Sequence, residues 1–205
     1  KAYLDLLDMY PDDEELVETA RNNIRRETQR LGEMVDKVLR LSALEKYDFE
    51  YVMEKINVKQ ILLRICGSLK GKLEKFQIQL ETELTDTWIE ADRESMEMIL
   101  INLLDNAVKY NKPQGSIRVK CYEAHSGVAI EISDTGIGMP PEAGNKIFEP
   151  FYTVDKNRSR QSGGSGLGLS LVRTLTEKQG GTVSLEKTGP EGSVFRLRFP
   201  SYKKE

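Results

Sequence analysis

The chain has 205 residues, enough for one large domain or one ordinary domain with a small appendage, and either can bury a core. Hydrophobic residues make up 39% and charged residues 31%, which fits a folded, well-solvated protein and excludes wholesale disorder and fibrous repeats. Thirty Lys and Arg against 33 Asp and Glu leave a formal charge of −3, too balanced for a whole-chain field that attracts nucleic acid, so any anion site must be local.

Cys66 and Cys121 fall in regular segments without CxxC or metal-ligand spacing, and are read as buried free thiols of a reducing compartment. No apolar stretch approaches the roughly 18 residues that span a bilayer, and no signal peptide opens the chain. The start at Lys1, inside a helical pattern, is expected to be that of a fragment.

In chain order, Ala2, Tyr3, Leu6 and Leu7 sit at helical spacing until Tyr10-Pro11 stops the pattern. Asp12 or Asp13 can cap a following helix whose first turn carries Glu14 and Glu15, where the helix dipole favours negative charge. Its apolar stripe of Ala20, Ile24, Leu31, Met34, Val35, Val38 and Leu39 is near a heptad repeat and calls for a partner helix. The pair reads as the end of one hairpin helix and all of the next; two such hairpins form a four-helix dimer.

The pattern changes near Glu45, which places a domain boundary around Lys46 to Asp48, with a helical part over 1–46 and a second domain over 49–205. Strands are expected at Phe49 to Met53, Phe76 to Glu83 and Thr87 to Glu90, and helices at Val58 to Lys75 and Arg93 to Tyr110. Ser116 to Ala124 and Val128 to Ser133 read as a hairpin around His125-Ser126-Gly127. A Gly- and charge-rich stretch reaches Gly164, followed by a helix from about Leu167 to Gln179 and strands at Thr182 to Glu186 and Val194 to Phe199. Without a strict βαβ rhythm, the expected fold class is α+β, a two-layer α/β sandwich with a mixed sheet.

Three segments carry chemistry. In the helix from Arg93, Met96, Ile99, Leu100, Leu103, Leu104, Ala107 and Val108 account for the buried stripe. Asn102, Asn106 and Lys109 then form a second, polar stripe at i, i+4 and i+7. It is either a solvated face or a metal-phosphate face, since amide oxygens suit Mg²⁺ and a Lys one turn on can meet a phosphate. Ser133-Asp134-Thr135-Gly136-Ile137-Gly138-Met139 ends an apolar strand. It is either a plain turn or a place where glycines admit a planar ligand and Asp134 accepts from an exocyclic amine. Gly163-Gly164-Ser165-Gly166-Leu167-Gly168-Leu169 opens a helix and is either a flexible linker or a phosphate cradle. Neither the Walker A lysine nor the third glycine of a dinucleotide fingerprint is present, because Leu169 stands where that glycine belongs.

Taken together, these segments resemble the N, G1 and G2 boxes of the ATPase fold shared by histidine kinases, DNA gyrase, Hsp90 and MutL, the GHKL or Bergerat fold. Ile147-Phe148-Glu149-Pro150-Phe151-Tyr152 resembles the F box of histidine kinases, and Asn102-Leu103-Leu104-Asp105-Asn106-Ala107-Val108-Lys109-Tyr110 their form of the N box. The helix ending Leu39-Arg40-Leu41-Ser42-Ala43-Leu44-Glu45 is similar to the close of the family's dimerisation and phosphotransfer hairpin.

The resemblance implies a cytoplasmic sensor histidine kinase core that binds ATP with Mg²⁺ and belongs to a membrane-anchored parent. Asn106 would coordinate Mg²⁺ with Asn102 assisting, and Lys109 and Tyr110 would contact the phosphates and sugar. Asp134 would hold the adenine amine in a pocket shaped by Gly136, Ile137 and Gly138, with Phe151 beside the nucleotide. Gly164, Ser165, Gly166, Leu167, Gly168 and Leu169 would hold the phosphates. Lys156, Arg158 and Arg160 on the preceding stretch would reach the γ-phosphate. Gyrase-type relatives carry a glutamate base one turn before the metal asparagine. Asn102 holds that position here and cannot take a proton, which favours kinase over ATPase. The sole histidine, His125, lacks the acceptor's neighbours and lies at a hairpin tip, so the phosphoacceptor is expected on a separate hairpin. Implied partners are a response regulator receiver domain and a second copy through the hairpin, with a monomer open for the fragment; no nucleic acid and no membrane contact are expected. The alternatives are a nucleotide-sensing module without catalysis and an anti-sigma-type serine kinase.

Overall fold

The computed structural model describes residues 2–45, 50–125, 127–154 and 165–202. The chain falls into two compact units, Lys1–Ser42 and Ala43–Glu205. The boundary expected from sequence lies on 46–48, outside the described residues.

In the first unit, α1 (Ala2–Met9) and α2 (Glu14–Glu45) are joined by a short turn. Asp13, rather than Asp12, caps α2: its Oδ1 accepts the Leu16 N–H at 3.0 Å. With 8 residues against 32, α1 rises about 12 Å beside an α2 of about 48 Å. The apolar stripe is buried only near its start. Ala20 is buried, whereas Leu31, Val35, Val38 and Leu39 are exposed.

The second unit holds two sheets. β1 (Met53–Asn57) pairs antiparallel with β3 (Trp88–Asp92), setting Ile56 opposite Ile89, both fully buried. The larger sheet has the order β2-β4-β5-β7-β6. β2 (Gln79–Leu84) is parallel to β4 (Ser116–Ala124), while β5 (Gly127–Asp134), β7 (Gly192–Phe199) and β6 (Thr182–Gly189) continue antiparallel. Alternation sorts its two faces. Ile117, Val119, Cys121, Ile130, Ile132, Phe195 and Leu197 point into the core. On the other face Arg118 pairs with Glu81, Lys120 with Glu83, and Arg196 with both Glu131 and Glu186. Such partly exposed pairs add little stability, but they mark this face as the solvated one. Against the apolar face pack α5 (Arg93–Lys109) and α6 (Gly168–Lys178), with α3 (Val58–Ser68) against α5 and α4 (Lys70–Phe76) against α3. The expected two-layer sandwich with a mixed sheet is what the chain forms.

Some elements differ from expectation for local reasons. The first strand lies at Met53–Asn57 instead of ending at Met53, because pairing with β3 buries Ile56, whereas Val52 is 71% exposed. The expected helix Val58 to Lys75 is two helices. Leu69, with ψ −9, donates its N–H to the Cys66 carbonyl in a tighter turn, and the Ser68 hydroxyl occupies the Ile65 carbonyl at 2.7 Å. Phe76 ends α4 rather than opening a strand, with Gln77 as a left-handed cap at φ 55. Pro141–Phe148, read as loop, forms a 3₁₀ segment kinked at Gly144.

Between α5 and β4 the chain turns at Lys112–Gly115, where the Gly115 N–H reaches the Lys112 carbonyl at 3.0 Å and Gln114 adopts φ 60. Pro113 and Gln114 thus occupy the centre of a type II turn whose third position favours glycine. Left-handed backbone costs a non-glycine residue about 1–2 kcal/mol, against about 0.5–1 kcal/mol for glycine's extra chain entropy. Gln114→Gly should therefore raise unfolding free energy by about 0.5 kcal/mol in a urea titration. Gly115→Ala should lower it, since a Cβ there would run into Asn111 Oδ1 and Thr135 Oγ1.

Candidate nucleotide-binding site

Helix α5 is built as its periodicity predicts. Asp92 caps it through the Ser95 N–H at 2.8 Å, and Met96, Ile99, Leu100, Leu103, Leu104, Ala107 and Val108 are all buried. Their packing turns Asn102, Asn106, Lys109 and Tyr110 to the other side, where each is half-buried rather than freely solvated. Asn102 donates from Nδ2 to the Met98 carbonyl at 2.8 Å, which leaves its Oδ1 facing the start of α6. That oxygen lies 3.0 Å from where a Cβ on Gly168 would stand. The helix start thus approaches the amide closely because residue 168 has no side chain. The Asn106 amide makes no hydrogen bond among the described residues, and the Lys109 ammonium sits 4.9 Å from the centre of the Tyr110 ring.

The second segment leaves the end of β5 and docks on the end of α5. The Ile137 N–H donates to the Tyr110 carbonyl at 3.0 Å, and Gly136 is packed so closely on that carbonyl that a Cβ would clash. Asp134 Oδ1 accepts the Gly136 N–H at 2.8 Å. Burial pushes the Asp134 carboxyl above its ordinary value, opposed by the backbone N–H groups of Gly136 and Ser193 and the charge of Lys112. Gly138, at φ 61, lies on the Gly189 backbone, and the Met139 N–H donates to Thr188 Oγ1 at 2.8 Å.

Thr188 and Ser193 were not singled out by sequence. Their hydroxyls are 3.3 Å apart, and strand register sets Ser193 opposite Asp134. The β5–β7 pairing, made across a long stretch of chain, sets Ser193 beside Asp134, and the β6–β7 pairing sets Thr188 beside Ser193.

The third segment begins α6. Gly166 has φ 70, Leu167 is buried, and the helix starts at Gly168 with no side chain capping it. Its first N–H groups are therefore donors available to an anion. The Phe151 N–H donates to the Gly166 carbonyl at 3.0 Å, with Phe151 itself at φ 64 and its ring 63% exposed. Ser165 and Leu169 flank this start and are half-buried. Lys156, Arg158, Arg160 and Gly164 lie outside the described residues. His125 is exposed, just before the β4–β5 turn.

The structure thus joins Asn102 to Gly168, Tyr110 to Gly136 and Ile137, and Phe151 to Gly166. A carboxylate at a strand end, a polar amide stripe and an uncapped helix start are assembled around α5. Among the described residues no group of three His, Cys, Asp or Glu side chains could hold a metal alone. A hard cation bound by the Asn106 oxygen would need further oxygens from a ligand, a donor set that fits Mg²⁺ carried on phosphates.

The family described as histidine kinase-, DNA gyrase B-, and HSP90-like ATPase matches residues 91–203, more than half of the chain. The chain therefore belongs to that family, on its histidine kinase branch. It is 32% identical over 176 residues to the circadian input-output histidine kinase CikA of Synechococcus elongatus, covering 84% of this chain and 23% of that protein. It is 28% identical over 188 residues to the signal transduction histidine-protein kinase ArlS of Staphylococcus haemolyticus, covering 91% and 41%. The chain thus spans less than half the length of these relatives. Among solved structures, histidine kinase ThkA in complex with response regulator protein TrrA superposes with a TM-score of 0.78 at 26% identity, over 98% of this chain and 56% of that one.

The raised Asp134 pKa has a stability consequence. A group whose folded-state value lies above the unfolded one contributes stability at acid pH that is lost as pH rises through the folded value. At neutral pH the ionised carboxylate is thus a net cost to the ligand-free fold. Asp134→Asn should match or exceed the parent's melting temperature at pH 8, and the advantage should shrink toward pH 4.

Proposed function

We propose that this chain is the ATP-binding catalytic part of a sensor histidine kinase that moves the γ-phosphoryl group of ATP to a histidine on a helical hairpin, for relay to a response regulator aspartate. The observation that carries the proposal is the meeting of three features on α5: Asp134 at the strand end, the Asn102, Asn106 and Lys109 stripe, and the uncapped start of α6 against Asn102. In this reading Asp134 accepts from the adenine amine, and Gly136, Ile137 and Gly138 bring backbone against the base. Thr188 and Ser193 add hydroxyls beside Asp134.

Asn106 supplies an oxygen to Mg²⁺, Asn102 assists, and Lys109 and Tyr110 meet the phosphates and ribose. Ser165, Gly166, Leu167, Gly168 and Leu169 present backbone N–H groups to the phosphate chain together with Gly164, and Lys156, Arg158 and Arg160 compensate γ-phosphate charge. Phe151 stands at the neck of that segment. Bound Mg²⁺ supplies charge neutralisation across the phosphate oxygens.

Asn102 faces the phosphate end with an amide, which cannot take a proton from water. This supports transfer to a nucleophile on another segment. His125, exposed in the turn that precedes β5, lies at the opposite end of that strand from Asp134 and is a poor acceptor, so the accepting histidine comes from a separate hairpin. Relay to a response regulator is supported by the ThkA–TrrA complex, a kinase and regulator seen together. Pairing of hairpins into a dimer is supported by the exposed stripe of Leu31, Val35, Val38 and Leu39. No helix among the described residues is long and apolar enough to cross a membrane; placement on the cytoplasmic side of an anchored parent belongs to the same proposal.

Titration calorimetry tests the site. Asp134→Asn should weaken Mg-ATP binding by about 1.5–3 kcal/mol, the range for a hydrogen bond to a charged group. Asn106→Ala should chiefly remove the Mg²⁺-dependent part of the affinity. Mixed with a separate hairpin carrying the phosphoacceptor histidine, the parent chain should label that histidine from γ-labelled ATP. Tight binding with no labelled histidine under any mixing condition would leave a nucleotide module and remove the kinase assignment.

A further inference from the structure

Helices α5 and α6 are pinned together at two places. At one, Asn102 faces Gly168. At the other, the side chain of Gln179, which follows the last residue of α6, accepts the Asp92 N–H on Oε1 at 2.8 Å and donates from Nε2 to the Leu175 carbonyl at 3.0 Å. Ten residues separate the pins on α5 and eleven on α6, about 15 and 16 Å of helix rise, so the two helices run antiparallel between them. Gln179 and Asp92 are both buried, at 5% and 7% exposure. The bond to Leu175 lies within α6 and aims the amide, and the bond to the Asp92 N–H crosses to the start of α5, so drawing the helices apart would leave a buried polar group unpaired.

Asp92 also holds a third element. Its Oδ1 caps α5 at Ser95, while Oδ2 accepts the N–H of Val52 at 3.1 Å. Val52 stands directly before β1, where the chain comes into the second unit from α2, and its side chain is 71% exposed. The segment is thus tied to Asp92 by the Val52 N–H, beside the half-buried Tyr51, whose hydroxyl is buried within electrostatic reach of the same carboxylate.

We propose that Gln179 is a positioning residue: it sets the α5–α6 spacing that the nucleotide needs and, through Asp92, couples nucleotide occupancy to the hold on Val52. The inference rests on the reading of the α5 and α6 faces as the nucleotide site. A ligand bridging the Asn102 face and the start of α6 fixes one end of the helix pair and steadies the Gln179–Asp92 end as well. The Asp92 carboxylate then holds the Val52 N–H more firmly. By reciprocity, releasing Val52 must weaken the nucleotide by the same factor.

Two variants test this, Gln179→Met, which keeps volume but loses both hydrogen bonds, and Val52→Pro, which removes one N–H and little buried surface. Each should raise the calorimetric Kd for Mg-ATP about fivefold, and the double variant by less than the product, because both act through Asp92. Amide exchange of Val52 in the parent chain should slow on adding Mg-ATP, and this slowing should vanish in Gln179→Met. Parent affinity in Val52→Pro, or a Val52 amide in the parent that ignores saturating Mg-ATP, overturns the coupling even if Gln179→Met fails to fold. Absence of Mg-ATP binding by the parent chain would instead remove the nucleotide site, and the coupling with it.

Discussion

A helix that buries one whole face cannot rotate, and α5 is such a helix. Turning it by one residue would carry Ile99, Leu100, Leu103 and Leu104 out of the core, at about 1.5–3 kcal/mol for each large side chain exposed. This constraint aims Asn102, Asn106 and Lys109. It also fixes the Tyr110 carbonyl on which Gly136 and Ile137 settle, and hence the direction in which Asp134 leaves the sheet. The site is therefore made by packing, with the polar residues occupying what the core leaves over.

Around that helix the chain accepts several local penalties. Asp134 carries a carboxylate that burial disfavours, α6 opens without a side-chain cap, and Phe151 holds a left-handed backbone with its ring in solvent. None of these helps the ligand-free fold, and all three belong to the site proposed above for the nucleotide. Backbone strain and unpaired polarity collected in one place are what a binding site looks like when stability has been given up for chemistry. In the proposed reading the character of that chemistry turns on Asn102, which offers an amide where a hydrolase would need a base.

Much of this was legible in the sequence, because α5 keeps one helical period along its whole length and β4 alternates through its apolar residues. The same periodicity misleads where it crosses a break. Leu62, Ile65, Leu69 and Leu73 keep helical spacing through the point where α3 stops, and only the tight turn at Leu69 divides them. Strand-forming composition drew the first strand toward Phe49, yet pairing with β3 decided its position. Thr188, Ser193 and Gln179 were invisible for a different reason. Each reaches its partner through strand register or helix packing across a long separation, and no short motif records such contacts. The roles assigned to Lys156, Arg158, Arg160 and Gly164 rest on resemblance alone, since they lie outside the described residues.

The most direct measurement is a crystal structure with Mg²⁺ and a non-hydrolysable ATP analogue. The account predicts the purine amine within hydrogen-bonding distance of the Asp134 carboxylate, the cation on the Asn106 oxygen and the phosphates over the first turn of α6. A purine bound elsewhere, with Asp134 still turned only to Gly136 and Ser193, would contradict it.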